Sequence, residues 1–328
     1  MRIVLFALAS CGGSSEPVTP DSSASDAPPA GECDDTAPWA TAAPLDLGPT
    51  QETAVVALAG KVYILGGFNN LTITTAVQVF DTATCRYAAG PALPMAVHHV
   101  NAAVVDGTIV VGGALATTSF TAIGDTWTWN PATETSWTAR ASMPAGTQRG
   151  AAVAGSLDGK LIVAGGFRNG NAVSDVSVYD VALDQWTALD PLPAPRDHAC
   201  GGVIGNKLYV AGGRMAAIPS TSPLTFELTG TTWDTKAPMI TGRGGTACGV
   251  LGDRLIVVGG EGNPAAASGV FSQVEAYTAT TNTWEALAPM PTPRHGMGAA
   301  ASGDRVYVPG GATTQGFGAV ATHEVLTP

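Results

Sequence analysis

The sequence predicts an all-β chain folded as a six-bladed β-propeller, closed by an N-terminal strand that completes the last blade. Three observations carry that expectation. A Gly-Gly doublet ends an apolar run six times, beginning at Gly66, Gly112, Gly165, Gly212, Gly259 and Gly310, so the copies are spaced by 46 to 53 residues. Only 12% of the 328 residues are charged and 41 are glycine, where ordinary globular chains are about a quarter charged. No long stretch places apolar residues at i, i+3, i+4 and i+7, so the chain offers short strands and tight turns rather than amphipathic helices.

Within each copy the elements follow in a fixed order. A two-residue turn comes first: Ala59-Gly60, Asp106-Gly107, Asp158-Gly159, Gly205-Asn206, Gly252-Asp253 and Gly303-Asp304. Asp-Gly suits a type I′ hairpin and Gly-Asn or Gly-Asp a type II′, because those positions require positive φ. A β-branched or aromatic run leads from the turn to the doublet, as in Val62-Tyr63-Ile64-Leu65 and Leu208-Tyr209-Val210, and reads as the second strand of a hairpin. A third strand follows, clearest in Val77–Asp81 and Val176–Asp180. An aromatic then recurs at Tyr87, Trp137, Trp186, Trp233 and Trp284, before Leu-Pro or Met-Pro pairs such as Leu192-Pro193 and Met290-Pro291. Doublet, hydrophobic-Tyr-Asp strand, spaced Trp and Met-Pro together resemble the kelch motif over residues 38–328. The resemblance implies four-stranded blades that cover one another's faces by stacking.

The sixth copy is incomplete. After Gly311 the chain holds a third strand, His323-Glu324-Val325-Leu326, but no aromatic fourth. Trp39 precedes Ala43-Pro44-Leu45 as Trp284 precedes Ala288-Pro289-Met290. The segment from Trp39 to Leu45 is therefore expected to complete the blade formed by residues 296–326 and lock the ring.

Ahead of the repeats, residues 1–11 end in Leu8-Ala9-Ser10-Cys11 after a single Arg2 and a short apolar run. This resembles a bacterial lipobox, which implies export and a lipidated Cys11 in the cell envelope. The apolar run is short for a signal segment. Residues 12–37, rich in Ser, Pro and Asp, read as a flexible tether. No apolar run reaches the roughly 20 residues of a membrane-spanning helix, so membrane attachment is expected only through the lipid.

Formal net charge is −11 and the pI about 4.7, a balance that repels a phosphate backbone and excludes nucleic acid as a partner. The five cysteines form no CxxC pair, so no zinc spacing, metal or cofactor is expected. Cys200 and Cys248 stand 12 and 11 residues before their doublets, which points them to opposite faces of their strands and suggests two buried thiols. Cys33 and Cys85 fall near outer turns of adjacent blades, where an exported chain could oxidise them.

Strand direction alternates, so the loops between strands two and three share one face with the loops between blades. Sixteen residues before each doublet stand Thr50, Ala96, Arg149, Arg196, Arg243 and Arg294. Four of the chain's eleven arginines thus occupy one register, with Gln51, His98, His198 and His295 beside them and Arg168, Arg214 and Glu261 just after the doublets. Convergent guanidinium forks would make an anion-binding mouth for a carboxylate or sulfate, with His98, His198 and Gln51 contributing. The alternative is that the arginines hydrogen-bond carbonyls or acids of the blades, with Glu52 and Asp197 as nearby counter-charges. His98 and His198 share an offset of 14 residues and His295 is one position off, which leaves a metal site short of a third ligand.

Two function classes follow. One is a monomeric, non-catalytic binding module of the envelope that takes an anionic glycan or acidic protein segment at the arginine-lined mouth. The other is a cofactor-independent carbohydrate enzyme, since the kelch resemblance extends to six-bladed periplasmic sialic-acid mutarotases, although no catalytic residue can be matched to them individually. Copper oxidases of the galactose-oxidase kind fit poorly, because their two His and two Tyr ligands have no counterpart set here.

Overall fold

The computed structural model describes residues 38–69 and 71–328. The lipobox, the tether and Cys33 lie outside the described residues. Inside them the regular elements are strands, grouped into six antiparallel four-stranded sheets plus two short two-stranded ribbons.

Blade 1 is Ala54–Leu58, Lys61–Leu65, Val77–Asp81 and Arg86–Ala89, in that order from the channel outward. Blades 3, 4 and 5 repeat this plan, with innermost strands Val153–Leu157, Cys200–Ile204 and Ala247–Leu251. Innermost strands of neighbouring blades touch around the full circle, including blade 6 against blade 1. The expected turns are present. Ala59-Gly60, Asp106-Gly107 and Asp158-Gly159 have two positive φ values, whereas the later turns have one, at Gly205, Gly252 and Gly303.

The glycine doublets exist because two blades meet there. A Cβ on Gly66, Gly165, Gly212, Gly259 or Gly310 would press within 2.3–2.8 Å of a backbone carbonyl of the next blade. The second glycine donates its N–H to that same carbonyl, as Gly166 does to Arg196 at 2.7 Å and Gly260 to Arg294 at 2.9 Å. Close approach and a hydrogen bond at one point leave no room for any side chain.

The recurring tryptophans tie each blade to the one before it. Indole N–H groups of Trp137, Trp186, Trp233 and Trp284 donate to the carbonyls of Pro91, Ala141, Asp190 and Ala237 at 2.8–3.0 Å. Trp39 donates to Ala288 at 3.0 Å and so ties the last blade to blade 5. Its strand, Trp39–Thr41, pairs antiparallel with His323–Leu326, opposing Trp39 to Leu326 and Thr41 to Glu324. The ring is closed by the N-terminal strand, in the sheet where the missing fourth strand belongs.

Blade 2 departs from the plan. Its second strand runs on from Thr108 to Ala116 and the third carries a bulge between Ile123 and Thr126. Here Gly113, not Gly112, has the positive φ, 78°. The register of the neighbouring loop is therefore counted from Gly113.

The cysteines correct another expectation. Cys200 and Cys248 are joined in a disulfide, Cα to Cα 5.6 Å, between the innermost strands of blades 4 and 5. The opposite facing of the two side chains was the right observation with the wrong consequence. Strands packed side by side turn opposite faces toward each other, so a residue on one face of blade 4 meets one on the other face of blade 5. Cys85 is also disulfide-bonded.

Candidate functional site at the channel mouth

The four arginines occupy their expected register, yet their side chains turn into their own blades. Arg149, Arg243 and Arg294 are fully buried. Arg149 donates to the carbonyls of Gly165, Val163 and Thr147 at 2.6–2.8 Å and to Ser177 Oγ at 3.2 Å. Arg243 donates to Gly259 O at 2.8 Å and Glu275 Oε1 at 2.5 Å. Arg294 reaches the Gly310 carbonyl and Glu324 Oε2, the latter at 2.8 Å. Arg196 is held more loosely, by Ser222 Oγ and the Pro195 carbonyl at 2.8 Å, and its buried Nε has no partner. Burial pulls all four guanidinium groups below their usual range, Arg149 to about 10, where it stays charged at neutral pH. Arg149, Arg243 and Arg294 staple the second and third strands of single blades, and Arg196 holds the loops of blade 4. Their forks are spent on carbonyls and buried carboxylates and do not converge, so a shared anion site built on Arg149, Arg196, Arg243 and Arg294 is set aside.

Two residues further along each blade, the chain builds a different ring. Glu52, His99, Ala151, His198, Gly245 and Gly296 all have left-handed backbones, with φ between 50° and 63°. Each N–H donates to the carbonyl of its counterpart one blade back: His99 to Glu52, Ala151 to His99, His198 to Ala151, Gly245 to His198, Gly296 to Gly245, and Glu52 to Gly296. Six hydrogen bonds thus form a closed belt around the channel. Below it lies a cavity of about 160 Å³ lined by the belt and the innermost strands, Cys200 and Cys248 included.

Belt side chains converge as the arginines do not. His99 Nε2 lies 3.0 Å from Glu52 Oε2 and 2.9 Å from His198 Nε2. One ligand atom from each of Glu52, His99 and His198 fits within a span of 4.8 Å. Asp197 Oδ1 takes the His198 Nδ1 proton at 2.5 Å and accepts from Arg214 Nε at 3.1 Å. Arg214 also pairs with Glu261 and lies 3.0 Å from His198 Nε2. His295 Nδ1 faces Glu52 Oε1 at 3.8 Å and Glu261 Oε2 at 3.6 Å. Glycines at 245 and 296 keep this space open, since a Cβ on Gly296 would strike the Glu52 carboxylate and one on Gly245 would crowd Glu261 and His295.

Burial pushes the Glu52 carboxyl up, but the facing His99, with His295 and His198 behind it, more than reverses this and holds it well below the carboxylate range. Asp197 is likewise held low against its burial, by His198 and Arg214. His98 is pushed down to about 4 by burial and by His99, and His198 is pushed down by burial and Arg214. The cluster sets three carboxyl groups, those of Glu52, Asp197 and Glu261, against the single guanidinium of Arg214. Its field favours a cation.

Of the other expected site residues, His98 sits one position before the belt, with Nε2 3.0 Å from the Thr117 carbonyl. Gln51 pins the blade 6 loop, donating to Gly316 O at 2.7 Å and accepting from Gly318 N–H at 3.0 Å. His99, not His98, is the counterpart of His198, because blade 2 counts from Gly113. A signal was present: counting from Gly113 makes the first repeat interval 47 residues, equal to two others, where Gly112 makes it 46.

Above the belt, Phe68, Phe120, Phe167, Phe317 and His98 form an aromatic wall with ring centroids 4.2–6.3 Å apart. The loops beyond it are apolar at their tips. Among the described residues seven large hydrophobic ones are exposed, and six of them, Leu47, Leu71, Met95, Met215, Ile240 and Phe317, stand on loops between blades or between strands two and three. Only Leu183, in a turn between strands three and four, is on the opposite face.

Known proteins place this architecture. Kelch-like protein terF of Aspergillus terreus is 33% identical over 298 residues, covering 85% of this chain and 63% of its own length. Kelch-like protein 36 of Mus musculus is 40% identical over 68 residues, 20% of this chain and 11% of its own length. The chain therefore spans less than two thirds of the curated relatives it matches. Among solved structures, YjhT superposes with a TM-score of 0.72 at 18% identity, covering 85% of this chain and 95% of that one, a likeness of fold. The family described as the KLHDC2/KLHL20/DRC7 Kelch-repeats domain matches residues 39–213 and 98–311. Together these matches run across all six blades, and the chain belongs to the Kelch-repeat family.

Proposed function

We propose that this chain is a non-catalytic interaction module, anchored to a bacterial cell envelope through Cys11, that docks a protein segment of apolar and non-acidic character on its channel-mouth face. The observation that carries the reading is the segregation of exposed large hydrophobic side chains, six of the seven among the described residues standing on one face. Scattered surface hydrophobics need no explanation, but their confinement to one polar-rimmed face marks an interaction surface. Leu71 and Phe317, with Gln51, Gly318 and Ala319, line a cleft of about 360 Å³ between blades 1 and 6 on that face. The excess of carboxylates at the belt below argues against the acidic segment first expected. A neutral glycan is the second reading, carried by the exposed ring of Phe317.

The anchoring rests on Leu8-Ala9-Ser10-Cys11, since two acyl chains on one cysteine supply stable attachment. Expressed in a bacterium, the full chain partitions into detergent and Cys11→Ala does not. For the docking face, a peptide library and a glycan array are screened with the wild type, Phe317→Glu, Leu71→Glu and, on the opposite face, Leu183→Glu. Peptides lost by the first two variants and kept by the third support the reading. Glycans lost by Phe317→Glu alone support the second. Ligands insensitive to both mouth variants overturn it.

A further inference from the structure

Four of the chain's five histidines, His98, His99, His198 and His295, gather at the belt, and their outer partners fix where their protons sit. The Thr117 carbonyl only accepts, so His98 Nε2 donates to it at 3.0 Å. On its other side His98 Nδ1 shares a hydrogen bond with His99 Nδ1, 2.5 Å away, and so engages the Nδ1 edge of the His99 ring. The Asp197 carboxylate holds the proton of His198 on Nδ1 at 2.5 Å. Both rings turn Nε2 toward each other across 2.9 Å, with a Glu52 oxygen 3.0 Å from one of them and Arg214 Nη2 3.0 Å from the other. Two ring nitrogens and a carboxylate oxygen at this spacing match the donor set of a metal ion, or share a proton.

His295 repeats the pattern independently. Its Nε2 donates to the Thr314 carbonyl at 2.9 Å, and its buried Nδ1 is left without a hydrogen-bond partner, facing the carboxylates of Glu52 and Glu261. A buried ring nitrogen without a hydrogen-bond partner, aimed at two carboxyl groups, is a further donor turned toward the same space.

We infer that Glu52, His99 and His198 form a divalent transition-metal site at the channel belt, with His295 as the available fourth donor. Imidazole nitrogens with one carboxylate suit zinc and its neighbours in the first row rather than magnesium or calcium. Asp197 on His198 Nδ1 and His98 on His99 Nδ1 are the outer partners that orient metal-bound imidazoles. Arg214 Nη2 shares the His198 Nε2 lone pair; the ion displaces it, while Asp197 and Glu261 retain the rest of the guanidinium. The site is independent of the docking face, since its donors point into the channel.

The alternative occupant is a proton on His99 Nε2, and the experiment separates the two. Full-length protein stripped with a chelator is titrated with Co²⁺ and Zn²⁺, following visible d–d bands and the melting temperature. Expected are saturable binding of one ion per chain, d–d bands without a thiolate charge-transfer band, and a raised melting temperature. Glu52→Gln, His99→Gln and His198→Gln should each weaken binding at least tenfold, and His295→Gln by less. Should a variant fail to fold, nitrogen-15 spectra of the wild-type imidazoles decide: Zn²⁺ must shift Nε2 of both His99 and His198 and leave no proton on either. An Nε2 proton that persists at saturating Zn²⁺, or binding unchanged in the folded variants, overturns the assignment.

Discussion

Two rings of residues lie two positions apart in the repeat, and they have opposite fates. At the outer ring, arginine recurs in four successive blades and the side chain turns into the blade, stapling carbonyls and, in blades 5 and 6, a buried glutamate. At the belt, the backbone recurs but the side chain does not: Glu52, His99, Ala151, His198, Gly245 and Gly296 share one conformation and one hydrogen bond. A role repeated by every blade is served by one residue type. A role served once, at the centre, draws different residues from different blades. Regularity thus marks the scaffold, and the site is found where the repeat keeps its geometry but loses its identity.

The comparison is tested most severely by removing the staples. Arg243→Ala leaves Glu275 buried without its partner, and breaking such a pair costs about 3–5 kcal/mol. Arg294→Ala should cost as much through Glu324. Arg149→Ala costs less, since its side-chain partner is the hydroxyl of Ser177. Arg196→Ala costs least, about 1–2 kcal/mol, because Phe226 takes the acid's place in the third strand and one nitrogen is already unpaired. Chemical denaturation of the four variants gives the ranking. Equal losses would mean that the carboxylates contribute nothing.

The Cys200–Cys248 bond tests the wall beneath the belt. It joins strands 48 residues apart in sequence, and a native disulfide typically contributes about 2–4 kcal/mol. The double variant Cys200→Ala, Cys248→Ala, which leaves the Cys85 disulfide in place, should have a lower melting temperature without loss of the cooperative transition, because backbone hydrogen bonds of the belt still join blades 4 and 5. An unchanged melting temperature would show that the belt alone fixes this contact.

The fold was legible because its cues are local or strictly periodic: turn glycines, doublets and spaced tryptophans each answer to a contact that every blade repeats. Closure was legible for the same reason, since Trp39 is the same cue at the wrong end of the chain. The site was legible only to the level of its loops. Spacing put Arg149, Arg243 and Arg294 near the mouth, but whether a long side chain turns into the channel or into the blade depends on carbonyls that no sequence pattern displays. In blade 2 the doublet itself begins one residue early, so that Gly113 and not Gly112 stands in the place of Gly66, and this shift hid His99. The disulfide was hidden by geometry between blades, where opposite faces meet.

Acid should unfold the protein through its histidines. Burial depresses His98 to about 4 and His323 to about 3, and pushes His198 down as well. A histidine whose folded pKa is lowered stabilises fully above its unfolded value, near 6.5, and that stability is lost as pH falls toward the folded value. Stability should therefore hold above pH 7 and decline from about 6.5 to about 4, with unfolding taking up two to three protons. Glu52 and Asp197, also depressed, add a further loss below about 4.5. His323→Gln, away from the belt, should make the decline shallower by about one proton. Stability independent of pH between 6.5 and 4 would mean that these imidazoles are charged in the fold.

The smallest effect is the one that isolates the belt backbone. Ala151 contributes no polar group, yet it holds φ at 53° and both belt hydrogen bonds. A left-handed backbone costs a residue with a Cβ about 1–2 kcal/mol. Glycine removes that cost but adds freedom to the unfolded chain, worth roughly 0.4–1 kcal/mol in the other direction. Ala151→Gly should therefore leave stability unchanged or raise it by up to about 1 kcal/mol, while every arginine substitution in the outer ring lowers it. Gly296→Ala is the inverse experiment, with the added clash against the Glu52 carboxylate, and should be destabilising. If Ala151→Gly instead lost more than about 1 kcal/mol, the belt would owe its conformation to the Ala151 side chain, and the division between a conserved backbone role and a free side chain would fail at the position where it is cleanest.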